Sequence, residues 1–169
     1  LFIAFKKTIF IDLLVISIGF ILRAIAGAVI LQIPISPWLY VCTGLGALFI
    51  GSAKRRSEIS NSKNNSQIQR ETLKMYSAST LDQLISIFAT STLMSYVLYS
   101  FLSTNLPSNH SMMLTIPFVI YGILRYINIV YSKNIGEFPE EIILSDKPLI
   151  TTIVLWIFFS ISILVIFRT

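Results

Sequence analysis

Five long apolar runs dominate this chain, at roughly residues 9–32, 37–53, 81–102, 112–131 and 148–167. Each spans or nearly spans a bilayer core, which takes about 20 helical residues, with about 17 as the lower limit. In hydrocarbon every backbone polar group must be satisfied within its own segment, so these runs are expected to be helices despite their many β-branched residues. The chain is 54% hydrophobic and 12% charged, about half the charge of an ordinary soluble domain. The expected class is an all-α integral membrane protein with five transmembrane helices in a single membrane domain, residues 1–169. One cysteine, Cys42, excludes an internal disulfide and reads as packing.

The connections between the runs are unequal. Residues 32–36 make a tight turn, and residues 103–111 carry no Lys, Arg, Asp or Glu. Residues 54–80 form a long polar loop with Lys54, Arg55, Arg56, Lys63, Arg70 and Lys74. Residues 132–147 carry Lys133, Lys147, Glu137, Glu140, Glu141 and Asp146. Five crossings place Lys6, Lys7 and both polar loops on one side, leaving only Arg168 on the other. The positive-inside rule makes loops 54–80 and 132–147 cytoplasmic, which suits a multi-pass protein of the cytoplasmic (inner) membrane. Carboxylates gather on that side too, which topology alone does not require. They suggest a polar site open to the cytosol.

Several polar residues lie where lipid disfavours them. Arg23 sits well inside the first run, where a charge costs at least about 2.5–3.5 kcal/mol. Asp12, eleven residues earlier, falls on the same helical face, and Gly19 and Gly27 lie near that stripe as an expected packing face. A structural Arg bonded to a neighbouring helix is the alternative to a binding role. Tyr121, Arg125, Asn128 and Ser132 form one polar stripe, with snorkelling to the interface as the plain alternative. Pro117 is expected to kink that helix. Ser79, Asp82 and Ser86 share a face at the start of the third run, where Asp82 could equally serve the helix dipole. Gly44, Gly46, Ala47, Gly51, Ser52 and Ala53 read as a small-residue helix interface. Gly44-Leu45-Gly46 is no nucleotide loop, because Phe49 stands where a third Gly belongs.

No Ser-His-Asp, Cys-His or zinc spacing occurs. What the chain offers is a set of Arg, Lys, Asp, Glu and Tyr above apolar helices. Arg and Lys bind phosphate, carboxylates can hold Mg²⁺ on a diphosphate, and the helices can hold a lipid tail. The combination predicts transfer between a water-soluble phosphate and a lipid at the bilayer surface. A transporter, with Arg23 and Arg125 lining an anion path, is a different reading of the same residues.

The stretches LRAIAGA (22–28), ISPW (35–38), KRRSE (54–58), TIPFVIYGILRY (115–126) and PEEIILSDKPLI (139–150) together resemble the UbiA superfamily of membrane prenyltransferases. The resemblance is to its decaprenyl-phosphate phosphoribosyltransferase branch. It implies the C-terminal portion of a nine-helix bundle with a cytoplasmic active site. The implied activity is transfer of 5-phosphoribose from phosphoribosyl diphosphate to a polyprenyl (decaprenyl) phosphate, with Mg²⁺, in cell-wall biosynthesis. By the same resemblance Lys54, Arg55, Tyr76, Arg125, Lys147 and Arg23 would bind phosphate or diphosphate. Asp82 and Glu58 would be catalytic, with Asp12 and Asp146 as polar support.

The first Asp-rich motif of that superfamily, Asn-Asp-x-x-Asp in form, does not occur in this sequence. The main Mg²⁺ ligands are therefore expected in a preceding part, with the chain a piece of a longer protein and inactive by itself. No nucleic-acid partner is expected, and a homo-oligomer is left open. An aromatic prenyltransferase, or a non-catalytic membrane subunit or remnant, are the other readings.

Overall fold

The computed structural model describes residues 10–32, 36–62, 76–133 and 138–167. The expectations placed on Lys6, Lys7, Lys63, Arg70, Lys74, Glu137 and Arg168 lie outside them, as do the side chains of Lys133 and Glu140. The described elements are helical, with no strand among them: α1 (Ile11–Leu31), α2 (Pro37–Ser62), α3 (Ala78–Leu102), a 3₁₀ turn (Ser111–Thr115), α4 (Ile116–Lys133), α5 (Pro139–Ser145) and α6 (Lys147–Ile166). Four stretches are long and apolar enough to cross a bilayer: Ile11–Leu31, Ala78–Leu102, Ser111–Ser132 and Lys147–Ile166. The chain is thus an all-α integral membrane protein. The remaining expected span, 37–53, is the apolar front of α2.

That helix departs from expectation. Its apolar part ends at Ala53, yet the helix continues to Ser62 and carries Lys54, Arg55, Arg56 and Glu58 on its last turns. The charge run that reads as the start of a loop is helical because two of its cations, Arg55 and Arg56, find partners on neighbouring helices. Arg, Lys and Glu are themselves good helix formers.

Local signals explain the other boundaries. The Ser77 side chain caps α3 by accepting from the Thr80 amide at 3.0 Å. Asp146 caps α6 by accepting from the Leu149 amide at 3.0 Å, and Pro148 in the first turn gives up an amide that the helix would not use. Pro117 does not kink α4. The 3₁₀ turn takes residues 111–115, so Pro117 is the second residue of the α-helix and stands where its missing N–H costs little.

The core joins α2 to α6 through Phe49, Ala53, Ile85, Tyr126, Val130, Ile142 and Leu149. A smaller cluster, Leu13, Ile59, Tyr76 and Leu81, ties α1 to the charged end. Small residues bring α1 and α2 together. A Cβ on Gly44 would meet Ile21 Cδ1 at 2.9 Å and one on Gly51 would meet Leu13 Cδ2 at 3.1 Å. The Ser17 hydroxyl donates to the Gly44 carbonyl at 2.9 Å. Gly19 and Gly27 take no part, since a Cβ on either would meet nothing within 4 Å. The packing face of α1 carries Leu13 and Ser17. Its other faces expose Leu14, Ile18, Leu22 and Val29, as a lipid-facing or helix-facing surface does.

Candidate functional site

The antiparallel run of helices brings one end of each together: the start of α1, the end of α2, the start of α3, the end of α4 and the start of α6. Polar bonds join these ends in sequence. Arg55 Nε donates to Asp12 Oδ2 at 2.9 Å, linking α2 to α1. Arg56 Nε donates to Asp82 Oδ1 at 3.0 Å, linking α2 to α3. The Tyr131 hydroxyl donates to the same Asp82 oxygen at 2.8 Å, linking α4 to α3. Arg125 donates twice to Asp146, from Nε at 3.1 Å and Nη2 at 2.9 Å, linking α4 to α6. The charges expected on one side do meet at one end, and most of them bind each other.

Arg55 is buried between two carboxylates. Its Nη1 donates to Glu58 Oε2 at 2.7 Å while Nε holds Asp12. Burial weakens the guanidinium's charge, but the hydrogen bond and charge of Glu58, followed by those of Asp12, outweigh it. The group is held above its ordinary pKa. Tyr76 completes the arrangement: its hydroxyl donates to Asp12 Oδ1 at 2.7 Å and accepts from the Phe10 amide at 2.7 Å. Tyr76 thus supports Asp12 directly.

Burial, and then the hydrogen bond to Asp12, push the Tyr76 phenol up to about 12, against about 10 for a free tyrosine. A raised acid stabilises the fold fully below the unfolded value and loses that contribution as pH climbs through the folded one. The difference in tyrosinate absorbance between the protein and its Tyr76→Phe variant should therefore develop near pH 12. A difference titrating near pH 10 would show that the phenol is not held by Asp12.

Lys54 stands apart. Among the described residues it has no hydrogen bond or ion pair. With Arg55, Ile16 and Phe20 it lines a cavity of about 580 Å³. Cys42 and Ile50 line both this cavity and a second of about 560 Å³ between α2, α3, α4 and α6. The second cavity is almost wholly apolar, with Phe49, Phe118, Ile153 and Leu164 among its walls.

Its polar wall groups are largely committed to one another. Thr115 Oγ1 donates to the Met112 carbonyl at 2.6 Å, so its 2.6 Å bond with the Tyr96 hydroxyl uses the tyrosine's proton. Trp156 Nε1 donates to Tyr96 in turn at 2.8 Å. Among the described residues, the Ser160 hydroxyl is buried on that wall without a partner. A cation on the wall of one cavity, beside a second that is apolar, is a setting for a molecule with an anionic head and a hydrocarbon body.

The structure does not bring every expected residue to this place. Arg23 lies about 16 Å along α1 from Asp12. It is exposed, with its guanidinium 5.4 Å from the Phe20 ring centre. Lys147 is exposed at the first position of α6 and, among the described residues, unpaired. Arg56 and Tyr131 were not singled out as site residues by sequence reasoning. Their i-to-partner geometry depends on helix packing, which spacing along one helix does not reveal.

The residues present do not fit Mg²⁺ as its principal ligands. Asp12 and Glu58 share Arg55, Asp82 is held by Arg56, and Asp146 by Arg125. Among the described residues no three His, Cys, Asp or Glu side chains converge.

No protein-family model matches the chain. Curated proteins do. A decaprenyl-phosphate phosphoribosyltransferase of Corynebacterium glutamicum is 35% identical over 152 residues, covering 88% of this chain and 45% of its own length. Proteins of the same name from Mycolicibacterium smegmatis and Mycobacterium tuberculosis are 32% and 31% identical over 90% of this chain and 50% of theirs. The chain spans about half the length of the curated relatives it matches. Over about nine-tenths of its own length, it is similar to the decaprenyl-phosphate phosphoribosyltransferases, as its motifs suggested.

Proposed function

We propose that this chain forms part of an enzyme that transfers 5-phosphoribose from phosphoribosyl diphosphate to a polyprenyl phosphate at the cytoplasmic face of the cell membrane. The observation that carries this reading is Lys54, a cation without a partner among the described residues, on the wall of a cavity that shares Cys42 and Ile50 with an apolar one. The names of the relatives supply the lipid class. In the reaction an oxygen of the lipid phosphate forms a bond to C1 of the ribose. The bond from C1 to the diphosphate breaks, and the diphosphate leaves with the electron pair. Lys54 lowers the energy of that step by neutralising charge on the leaving group. Arg55 offers its Nη2, the nitrogen not engaged by Asp12 or Glu58. The Mg²⁺ expected from the family would take its main ligands from outside the described residues.

The test uses the complete protein in membranes, with phosphoribosyl diphosphate labelled in the ribose. Label should pass into organic-extractable lipid in proportion to added polyprenyl phosphate. Label that stays in the aqueous phase would remove the proposal and favour a non-catalytic membrane subunit.

A further inference from the structure

Arg56 has no place in the site as read from sequence, yet it forms the most closed contact at the charged end. Its Nε donates to Asp82 Oδ1 at 3.0 Å, and its guanidinium carbon lies 4.4 Å from the Tyr131 ring centre. Tyr131 in turn donates its hydroxyl to the same Asp82 oxygen at 2.8 Å. Each of the three touches the other two, and they come from α2, α4 and α3. The contact uses both properties that distinguish Arg from Lys, a directed N–H and a flat face that stacks on an aromatic ring. Asp82 Oδ1 receives both donors, so one carboxylate oxygen holds α2 and α4 to α3.

Successive helical residues are about 100° apart, so Arg56 points about 200° away from Lys54, to nearly the opposite side of α2. Lys54 faces the cavity beside Ile16 and Phe20, while Arg56 fastens the far side of the same turn to α3 and α4. We infer that Arg56 is a positioning residue: pinned by Asp82 and Tyr131, it fixes the rotation of the α2 end and so the direction in which Lys54 meets the diphosphate. A 10° rotation moves a group at the helix surface by about 1 Å, and a misplacement of about 1 Å can cost ~10²-fold in a reaction. This inference rests on the proposed role of Lys54 and assigns Asp82 to holding Arg56 in place.

The test is a double-variant cycle on the complete purified protein, reading the Kd for inorganic diphosphate. Lys54→Ala and Arg56→Gln should each weaken binding about 10-fold. The double variant should also be about 10-fold weaker, because Arg56 acts through Lys54. Tyr131→Phe, which removes one hydroxyl and leaves the core intact, should weaken binding about threefold with Lys54 present and not at all with Lys54→Ala. Multiplication to about 100-fold in the double variant, or wild-type binding by Arg56→Gln, would overturn the inference while leaving the phosphate role of Lys54 standing. A wild-type protein that binds no diphosphate would overturn both.

Discussion

Arg55→Ala should destabilise the protein by about 3–5 kcal/mol, the usual cost of removing one partner of a buried ion pair. The loss is large because of what remains. Asp12 and Glu58, at 15% and 13% side-chain exposure, would be left with no cation between them. Among the described residues, only the Tyr76 hydroxyl would still bond Asp12. The intact triad is not for that reason a large net source of stability, since burying three charges has its own desolvation cost. Two further variants separate these effects. Arg55→Lys keeps the charge but cannot present two directed N–H groups to two carboxylates, so it should recover only part of the loss. Adding Asp12→Asn and Glu58→Gln to Arg55→Ala should recover most of it, because the stranded charges are gone. Thermal unfolding in a fixed detergent would read all of these, and an Arg55→Ala protein as stable as wild type would show that the triad is not formed.

Asp146→Ala should cost more than the ~1 kcal/mol of a lost helix cap, because Asp146 has two roles at once. Asp146 is 5% exposed and accepts both the Arg125 fork and the Leu149 amide at the start of α6. Loss of an Asp cap is worth about 1 kcal/mol. The remainder comes from Arg125, which is a third exposed and can rehydrate, so its loss weighs less than that of Arg55. Asp146→Asn can still cap but carries no charge, and should recover about 1 kcal/mol. If Asn and Ala variants unfold together, the cap contributes nothing.

The membrane class and the gathering of charge at one end were legible in the sequence, because long apolar runs and alternating loops encode both directly. The partners of the charges were not. Lys54, Arg55 and Arg56 are neighbours in sequence and equal as cations, yet they turn to a cavity, to α1 and to α3 with α4. That division follows from about 100° of helical rotation per residue, and it required knowing that the helix does not stop at Ala53. The charge run looked like a stop because unpaired cations would end an apolar helix; the pairing of Arg55 and Arg56 lets it continue. Arg23 and Asp12 share a face, as their spacing implies, but eleven residues of rise separate them too far for one site. The small-residue interface of α2 was visible as composition, while its partner on α1 was misplaced onto Gly19 and Gly27 instead of Ser17 and Leu13.

The account depends on Lys54 as the cation that, among the described residues, has no partner while Arg55, Arg56 and Glu58 at that end of α2 are bound. Its most direct test is the steady-state kinetics of Lys54→Ala in the complete protein, varying each substrate separately. Loss of one charge-assisted phosphate contact, at about 1.5–3 kcal/mol, should raise the KM for phosphoribosyl diphosphate at least about 10-fold. The KM for polyprenyl phosphate should stay within about twofold. Equal changes for both substrates, or no change for either, would contradict it.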